Sequence, residues 1–181
     1  MTRAQIEFVV FFSVIVLFIA AVVPALTRAR AEVRDDLRRQ DVTNLKVALE
    51  QYNNEHNHYG LPVRQAGLLP EGAPECTASA DKASWLFGDK SPLLQEQFID
   101  AIPHDTRESL GHAYRFCATE LDAENRGIAG YFLEAELEVD QPDTISFDED
   151  ERRKFFYRIL YDEGRTLYRI CGGSETQCTP S

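Results

Sequence analysis

Basic side chains are scarce in this sequence. Its 181 residues contain 19 Lys and Arg against 30 Asp and Glu, which gives a formal charge of -11. Because nucleic-acid affinity comes largely from clustered Lys and Arg, this composition excludes a general phosphate-binding surface, and we predict no nucleic-acid partner. The apolar share of 44% is enough for one hydrophobic core and too high for a mainly disordered chain.

The sequence also lacks the short motifs that mark common enzymes. It contains no G-x-S-x-G, no H-E-x-x-H and no G-x-x-x-x-G-K, so we expect neither catalysis nor a nucleotide site. The histidines have no metal-helix spacing and the cysteines form no C-x-x-C pair, so we expect no metal ion and no cofactor. The acidic run at residues 148–151 offers calcium ligands together with Asp140 or Asp143, but it lacks the spacing and Gly of a calcium loop and favours a solvated loop.

Charge is absent from residues 8–23, FVVFFSVIVLFIAAVV, and the apolar character continues to Leu26. As a helix, residues 8–26 would be about 28 Å long, close to the hydrocarbon thickness of a bilayer. The competing interpretation is a cleaved secretory signal peptide. The run is long for such a peptide, and the Arg-rich ALTRARA follows it instead of a clean small-x-small site. The pattern therefore favours a retained membrane helix, with residues 1–26 as the first unit.

A second helical pattern follows this apolar run. Gly and Pro are absent between Pro24 and Gly60. We predict one helix from near the N-terminus to about Asn53, with residues 27–56 as its amphipathic unit and a kink or looser stretch in the turn before Pro24. Apolar residues at near-helical spacing define the stripe of this second half. They are Val33, Leu37, Leu45, Ala48 or Leu49, and Tyr52, and Val42 widens the stripe.

Alternating residues beyond the helix predict strands. Between residues 130 and 139, apolar side chains alternate with Glu134, Glu136 and Glu138, which is typical of a half-buried strand. Two later strands read as a hairpin around Gly164. The predicted strands span residues 113–118, 130–139, 155–161 and 166–171.

Residue types that favour turns and helix starts predict the remaining connections. Residues 60–84 are rich in Gly, Pro, Ala and Ser and predict a loop. Ser91 and Pro92 suit the first turn of a short helix that would end near Ala101, before Pro103.

The predicted fold class is α+β. An antiparallel sheet of about four strands must cover its apolar face, and the amphipathic half of the long helix is the natural cover. We therefore predict Leu45, Leu49 and Tyr52 as head-packing residues, in a globular head formed by residues 57–181.

Glu7 stands at the edge of the apolar run. Burying an unpaired carboxylate there costs a few kcal/mol even on lenient scales. One interpretation places Glu7 among lipid headgroups. The other has Glu7 meet a cation when chains associate, most naturally the free N-terminal ammonium of a neighbouring chain.

The run QIEFVVFFSVIVLFIAAVVPAL resembles the N-terminal segment of type IV pilins and type II secretion pseudopilins. In that family a Glu lies near the start of an apolar helix and a Pro follows 17 residues later, the separation of Glu7 and Pro24. The likeness continues through RDDLRRQDVTNLKVALEQYNNEHNHYG, FIDAIPHDT, HAYRFC and YFLEAELE. One departure is that the alignment makes Arg3 the first mature residue, preceded by Thr2 where the family has a small residue, usually Gly.

The resemblance implies a structural subunit that polymerises through its N-terminal helix into a type IV pilus filament. Before assembly the chain would cross the cytoplasmic membrane once, and afterwards it would lie in a filament on the cell surface. The implied partners are further copies of the chain, an inner-membrane platform and a cytoplasmic assembly ATPase. Alternatives are a pseudopilin of a type II secretion system and a membrane-anchored extracytoplasmic binding domain that does not polymerise. The implied assembly residues are Glu7, Phe8, Phe11, Phe12, Leu17 and Pro24.

Two signals disagree about the side of the membrane on which the head lies. Arg3 is the one basic residue before the apolar run, whereas five Arg lie within residues 28–39, so the positive-inside rule would place the head in the cytoplasm. Four cysteines beyond the apolar run fit an oxidising, extracytoplasmic compartment instead. We follow the cysteines and the family resemblance.

Four cysteines permit three pairings, and reduced thiols are a further alternative. The resemblance favours Cys171 with Cys178, which closes a C-terminal loop as in many pilins. Cys76 with Cys117 would then tie the long loop to the sheet.

Overall fold

A long helix and an antiparallel sheet make up the chain in the computed structural model, and the predicted α+β class is confirmed. The structure describes residues 3–60, 75–81, 84–108, 111–121, 127–139, 144–150, 153–162 and 165–173. The elements are α1 (Arg3–His56), β1 (Glu75–Ala78), α2 (Pro92–Gln95), β2 (Arg115–Leu121), β3 (Ile128–Leu137), β4 (Thr144–Asp150), β5 (Arg153–Asp162) and β6 (Arg165–Gly172).

Six strands form the sheet, in the order β1-β2-β3-β6-β5-β4, and every neighbouring pair is antiparallel. The predicted hairpin is confirmed, because β5 and β6 pair up to Asp162 and Arg165. The two residues between them lie outside the described residues. With β3 and β6 at its centre, the sheet offers one face to α1.

The helix α1 continues without interruption through Pro24. Because Pro has no N–H to donate, a kink or looser stretch in the preceding turn stays a prediction. It ends at His56, three residues beyond the predicted Asn53. Asn57 then adopts a φ of 61°, and its N–H donates to the Asn53 carbonyl at 2.8 Å. A residue in the left-handed region is a common way to end a helix, and Asn tolerates it better than most residues.

Two strands were absent from the prediction. β1 lies inside the segment that was expected to be a loop, and it is held by direct pairing of Cys76 with Cys117 on β2. β4 runs through Asp148–Asp150, where a solvated loop was expected, and pairs along its length with β5. Both are edge strands, so each depends on a single neighbour. The calcium candidates Asp140 and Asp143 lie outside the described residues.

The short helix α2 ends at Gln95 instead of the predicted Ala101. Gln97 has a φ of 62°, and the N–H groups of Phe98 and Ile99 both donate to the Leu93 carbonyl, at 2.9 and 3.2 Å. This left-handed turn satisfies the free carbonyl of the helix end, and the segment up to Pro103 is irregular.

β3 is buried on both faces, whereas a half-buried strand was predicted. Its residue Phe132 forms a second apolar cluster with Cys117 and Cys171 on the face away from the main core. Glu134 on the same face is 3% exposed and accepts two hydrogen bonds from Arg169, at 2.8 and 2.5 Å. Because β3 has a neighbour on each side, long side chains from both neighbours cover the face that a lone strand would leave to water.

The main core lies between the second half of α1 and the sheet. Leu45, Leu49 and Tyr52 are buried there, together with Val42 and Ala48. They face Tyr131, Leu133, Ala135 and Leu137 of β3. We call the sheet, α2 and the part of α1 from Asp35 onward the head.

Candidate assembly surface

The first half of α1 extends beyond the head and packs on no other element that the structure describes. We call residues 8–33 the projecting segment. Every side chain described in this segment is exposed or half-buried. An 18-residue window here has a mean hydropathy of 2.7, and none of it is buried. By length and composition this helix is compatible with a membrane anchor. Its exposure also differs from that of a soluble core helix, which would be mostly buried.

The predicted assembly residues all lie on this surface. Phe8 and Leu17 are each 69% exposed, and Phe11 and Phe12 are nearly as open. The rings of Phe8 and Phe12, one helical turn apart, stack with their centroids 6.3 Å apart. Glu7 and Pro24 are exposed at the two ends of the same apolar stretch. The surface is therefore both apolar and aromatic, and large enough to require cover from lipid or another chain.

Where the projecting segment meets the head, Asp35 fixes the helix to the end of β3. Its carboxylate is 1% exposed and accepts the backbone N–H groups of Glu138 and Val139, both at 2.9 Å. These N–H groups follow the last residue of β3. A carboxylate that accepts several backbone N–H groups forms strong, charge-assisted bonds, so Asp35 holds the strand end against the helix.

Arg38 compensates the charge of Asp35 one turn later. The guanidinium donates to Asp35 at 2.8 Å and pairs with Glu138 at 2.9 Å. It also forms a fork with Asp105, in which Nε and Nη2 reach the two carboxylate oxygens. Burial by itself lowers the pKa of Arg38, but the bonds to Asp105, Asp35 and Glu138 outweigh it and raise the pKa above its usual range. Arg38 therefore stays charged at the centre of three carboxylates.

Glu138 completes this ion cluster of Asp35, Arg38, Asp105 and Glu138. Arg34 donates to its two oxygens at 2.8 and 2.5 Å, and Arg107 donates at 2.9 Å. The bonds from Arg34 are the largest cause of a lowered pKa of about 2 for Glu138, and burial opposes them. The ion cluster spans α1, the segment after α2 and the end of β3, so it fixes both the rotation and the axial position of α1.

Lys46 makes a second connection between helix and sheet. Its Nζ donates to the Cys171 carbonyl of β6 at 2.7 Å, and the residue is 5% exposed. Burial lowers the pKa of Lys46, an effect that the nearby Glu50 partly opposes. A charged donor on the apolar face of α1 was not predicted, since the stripe alone indicates only the neighbouring Leu45 and Leu49.

The cysteines follow the predicted framework where they are described. Cys76 and Cys117 form a disulfide between β1 and β2. Cys171 is also disulfide-bonded, and its predicted partner Cys178 lies outside the described residues. The bond at Cys76 secures the four-residue edge strand β1.

Three of the four histidines lie near a carboxylate of the head, whereas His58 lies edge-on to the Tyr52 ring. His104 and His112 approach Glu108 and Glu136 at 3.6 and 3.7 Å. His56 lies within 2.6 Å of Glu96, which the sequence separates from it by 40 residues. Among the described residues, one group could hold a metal ion, and it contains this pair together with Glu55.

Comparison with protein-family models, with curated proteins and with solved structures found no match. The pilin-like architecture, a long apolar N-terminal helix packed on an antiparallel sheet, therefore stands on the geometry of the chain alone.

Proposed function

We propose that this chain is a pilin, a structural subunit that polymerises through its N-terminal helix into a type IV pilus filament on the cell surface. The observation that carries the proposal is the projecting segment. It carries no charge over residues 8–26, its described side chains are exposed or half-buried, and it is continuous with a helix that the head holds in a fixed orientation.

The projecting segment suits two environments in succession. Residues 8–23, which are apolar except for Ser13, contribute an anchor of about 5–10 kcal/mol in a bilayer, which holds the subunit in the membrane before assembly. In a filament, the same surface exchanges lipid for the helices of other copies, so little apolar area returns to water. Extraction of such an anchor needs work, which an ATP-driven assembly machine at the inner membrane would supply.

The fixed joint between helix and head gives the polymer a defined shape. Because the ion cluster locks α1 against β3, bundling of the projecting segments would place every head at the same height and rotation relative to its own helix. A filament with regular helical symmetry requires this uniformity.

Glu7 has a specific role in this proposal. A carboxylate in the apolar core of a bundle is penalised unless a cation compensates it. The terminal ammonium of a neighbouring chain lies at the same end of the apolar helix and would provide that cation. Only the register that brings the two charges together avoids the penalty, so Glu7 would set the stagger between copies.

The test is the composition of sheared cell-surface fibres from cells that express Glu7→Ala. We expect at least a tenfold loss of fibres, with the head folded and the subunit retained in the membrane. Glu32→Ala is the matched control, because Glu32 is an exposed carboxylate on the same helix that pairs with Arg28 one turn away. Its fibre yield should equal that of the unchanged chain.

Other outcomes would contradict the proposal. A chain that stays monomeric in the membrane would be an anchored binding domain, and one needed for protein secretion without forming surface fibres would be a pseudopilin. A mature protein that begins after the apolar run would identify that run as a signal peptide.

A further inference from the structure

The far end of α1 brings together three side chains that the sequence keeps apart. Glu55 and His56 are the last two residues of the helix, and Glu96 directly follows α2. One ligand atom from each lies within 4.8 Å of the other two. The His56 Nε2 and a Glu96 carboxylate oxygen are 2.6 Å apart.

Among the residues that the structure describes, His56 is the one cationic partner paired with this group's carboxylates. Glu55 has no ion-pair or hydrogen-bond partner among the residues that the structure describes. Its carboxylate nevertheless lies within 4.8 Å of the ligand atoms of His56 and Glu96. Two carboxylates at this separation repel each other, and a divalent cation would relieve the repulsion.

The ligand atoms, none more than 4.8 Å from another, are close to the spacing of a first-row transition-metal site. Zinc binds imidazole nitrogen and carboxylate oxygen at about 2.0–2.2 Å, so its ligand atoms in a tetrahedral site lie about 3.4 Å apart. Opening the 2.6 Å contact to that spacing takes less than an ångström of movement. The Glu96 side chain is 38% exposed and can make this movement while the His56 ring keeps its stacking on Tyr52.

Both ligand-bearing segments are fixed to the same core. Tyr52, one turn before His56, is buried, and its ring stacks on the imidazole with the centroids 4.2 Å apart. The same Tyr52 ring meets Phe98 edge-on at 5.8 Å, and Leu93 of α2 is fully buried. The backbones that carry His56 and Glu96 are therefore positioned before any ligand arrives.

We propose that Glu55, His56 and Glu96 form a binding site for a divalent transition-metal ion of the zinc class. One imidazole and two carboxylates form a mixed donor set, in which the imidazole nitrogen favours zinc over magnesium or calcium. Water would occupy the fourth position. The ion would join the end of α1 to α2, at the opposite end of the helix from the projecting segment, so this site is independent of the proposed assembly function.

The test is zinc titration of the full chain in detergent, by calorimetry and by competition with a zinc indicator. We expect one equivalent to bind with micromolar or tighter affinity and to raise the unfolding midpoint by about 5 °C at saturating zinc. His56→Ala and Glu96→Gln should each weaken binding at least tenfold. His104→Ala is the matched control, because His104 also faces a single carboxylate at the surface, and it should bind like the unchanged chain.

Three results would overturn the proposal. The first is that the unchanged chain binds zinc no more tightly than His56→Ala does. The second is that His56→Ala and His104→Ala lose zinc affinity equally. The third is that Glu96→Gln keeps full zinc affinity. Far-ultraviolet circular dichroism identifies any variant that fails to fold. In that case Glu55→Gln is the alternative variant, because it removes one carboxylate ligand and keeps the length of the side chain.

Discussion

Glu138 is the residue whose ion pairs link the head to the orientation of α1. Its carboxylate holds Arg34, Arg38 and Arg107, which belong to two separate segments. Removing one partner from such a group is costly, because the remaining charges keep their desolvation penalty and lose their compensation. The orientation of α1 therefore depends on the ionisation of a few acidic side chains.

This dependence gives a prediction for stability against pH. The pKa of Glu138 is lowered from 4.5 to about 2 in the folded chain, chiefly by the bonds from Arg34. A carboxyl group with a depressed pKa stabilises the fold above its unfolded value, and this contribution disappears as the pH falls from about 4.5 to 2. Glu138→Gln should be less stable than the unchanged chain at pH 7, and the difference should shrink across that window.

The measurement is urea unfolding in detergent at several pH values, followed by the fluorescence of Trp85. This is the one Trp in the sequence, and its ring packs edge-on against Phe116 at 5.5 Å, so it reports on the core. Glu32→Gln, on the exposed side of α1, serves as the reference. A constant difference between Glu138→Gln and the unchanged chain over the whole pH range would contradict the prediction.

At the scale of elements, α1 carries the same type of side chain at buried and at exposed positions. Leu49 is fully buried against the sheet, whereas Leu37, three turns earlier, is 53% exposed. The same side chain thus occupies a core position and a surface position on one continuous helix. The sequence stripe includes both residues, so it does not distinguish them.

Truncating these two leucines should separate the roles of the two positions. Leu49→Ala loses buried area and leaves a cavity, so we expect the free energy of unfolding to fall by about 2–5 kcal/mol. Leu37→Ala should change it by less than about 0.5 kcal/mol. Urea titrations of the detergent-solubilised monomer measure both values, and similar losses in the two variants would show that the assignment of Leu37 to the exposed face of α1 is wrong.

The elements that were predicted from sequence are those with local patterns. The helical stripe through Leu45 and Leu49 and the alternation around Leu133 each extend over many residues, so propensity and burial agree there. β1 and β4 carry no such signal. β1 has only four residues and depends on its pairing with Cys117, and the acidic end of β4 favours a loop by composition.

The contacts that were missed are long-range. Asp35 and Arg38 are ordinary charged residues of an amphipathic helix until the fold brings Asp105 and Glu138 beside them. Their partners lie 67 or more residues away, and no short-range spacing indicates them. The proximity of His56 to Glu96 is of the same kind, which explains why a search by spacing finds no metal-binding pattern.

At the scale of the whole molecule, the head and the projecting segment have separate requirements. Arg34 is the first residue of α1 with a described contact to the sheet, and the side chains described before it are exposed or half-buried. The acidic excess lies in residues 57–181, which suits a body in water. The apolar surface is confined to the helix that leaves it.

A chain that begins at Arg28 should therefore fold without its apolar segment. We expect it to be soluble and monomeric without detergent, and to unfold within about 3 °C of the full chain, because no core contact has been removed. Size-exclusion chromatography and the thermal transition of Trp85 fluorescence measure this. Aggregation of the shortened chain, or a midpoint lower by 10 °C or more, would mean that the removed residues support the head.

The continuity of α1 from the projecting segment into the core also determines how the molecule would respond to tension. A force along the helix axis loads the contact between α1 and the sheet in shear. The ion cluster, Lys46 and the buried leucines then resist sliding of the helix at the same time. Contacts that resist in parallel must rupture almost simultaneously, whereas contacts peeled from one end break in sequence at lower force. A fibre built from such subunits would transmit traction to its heads without unravelling them.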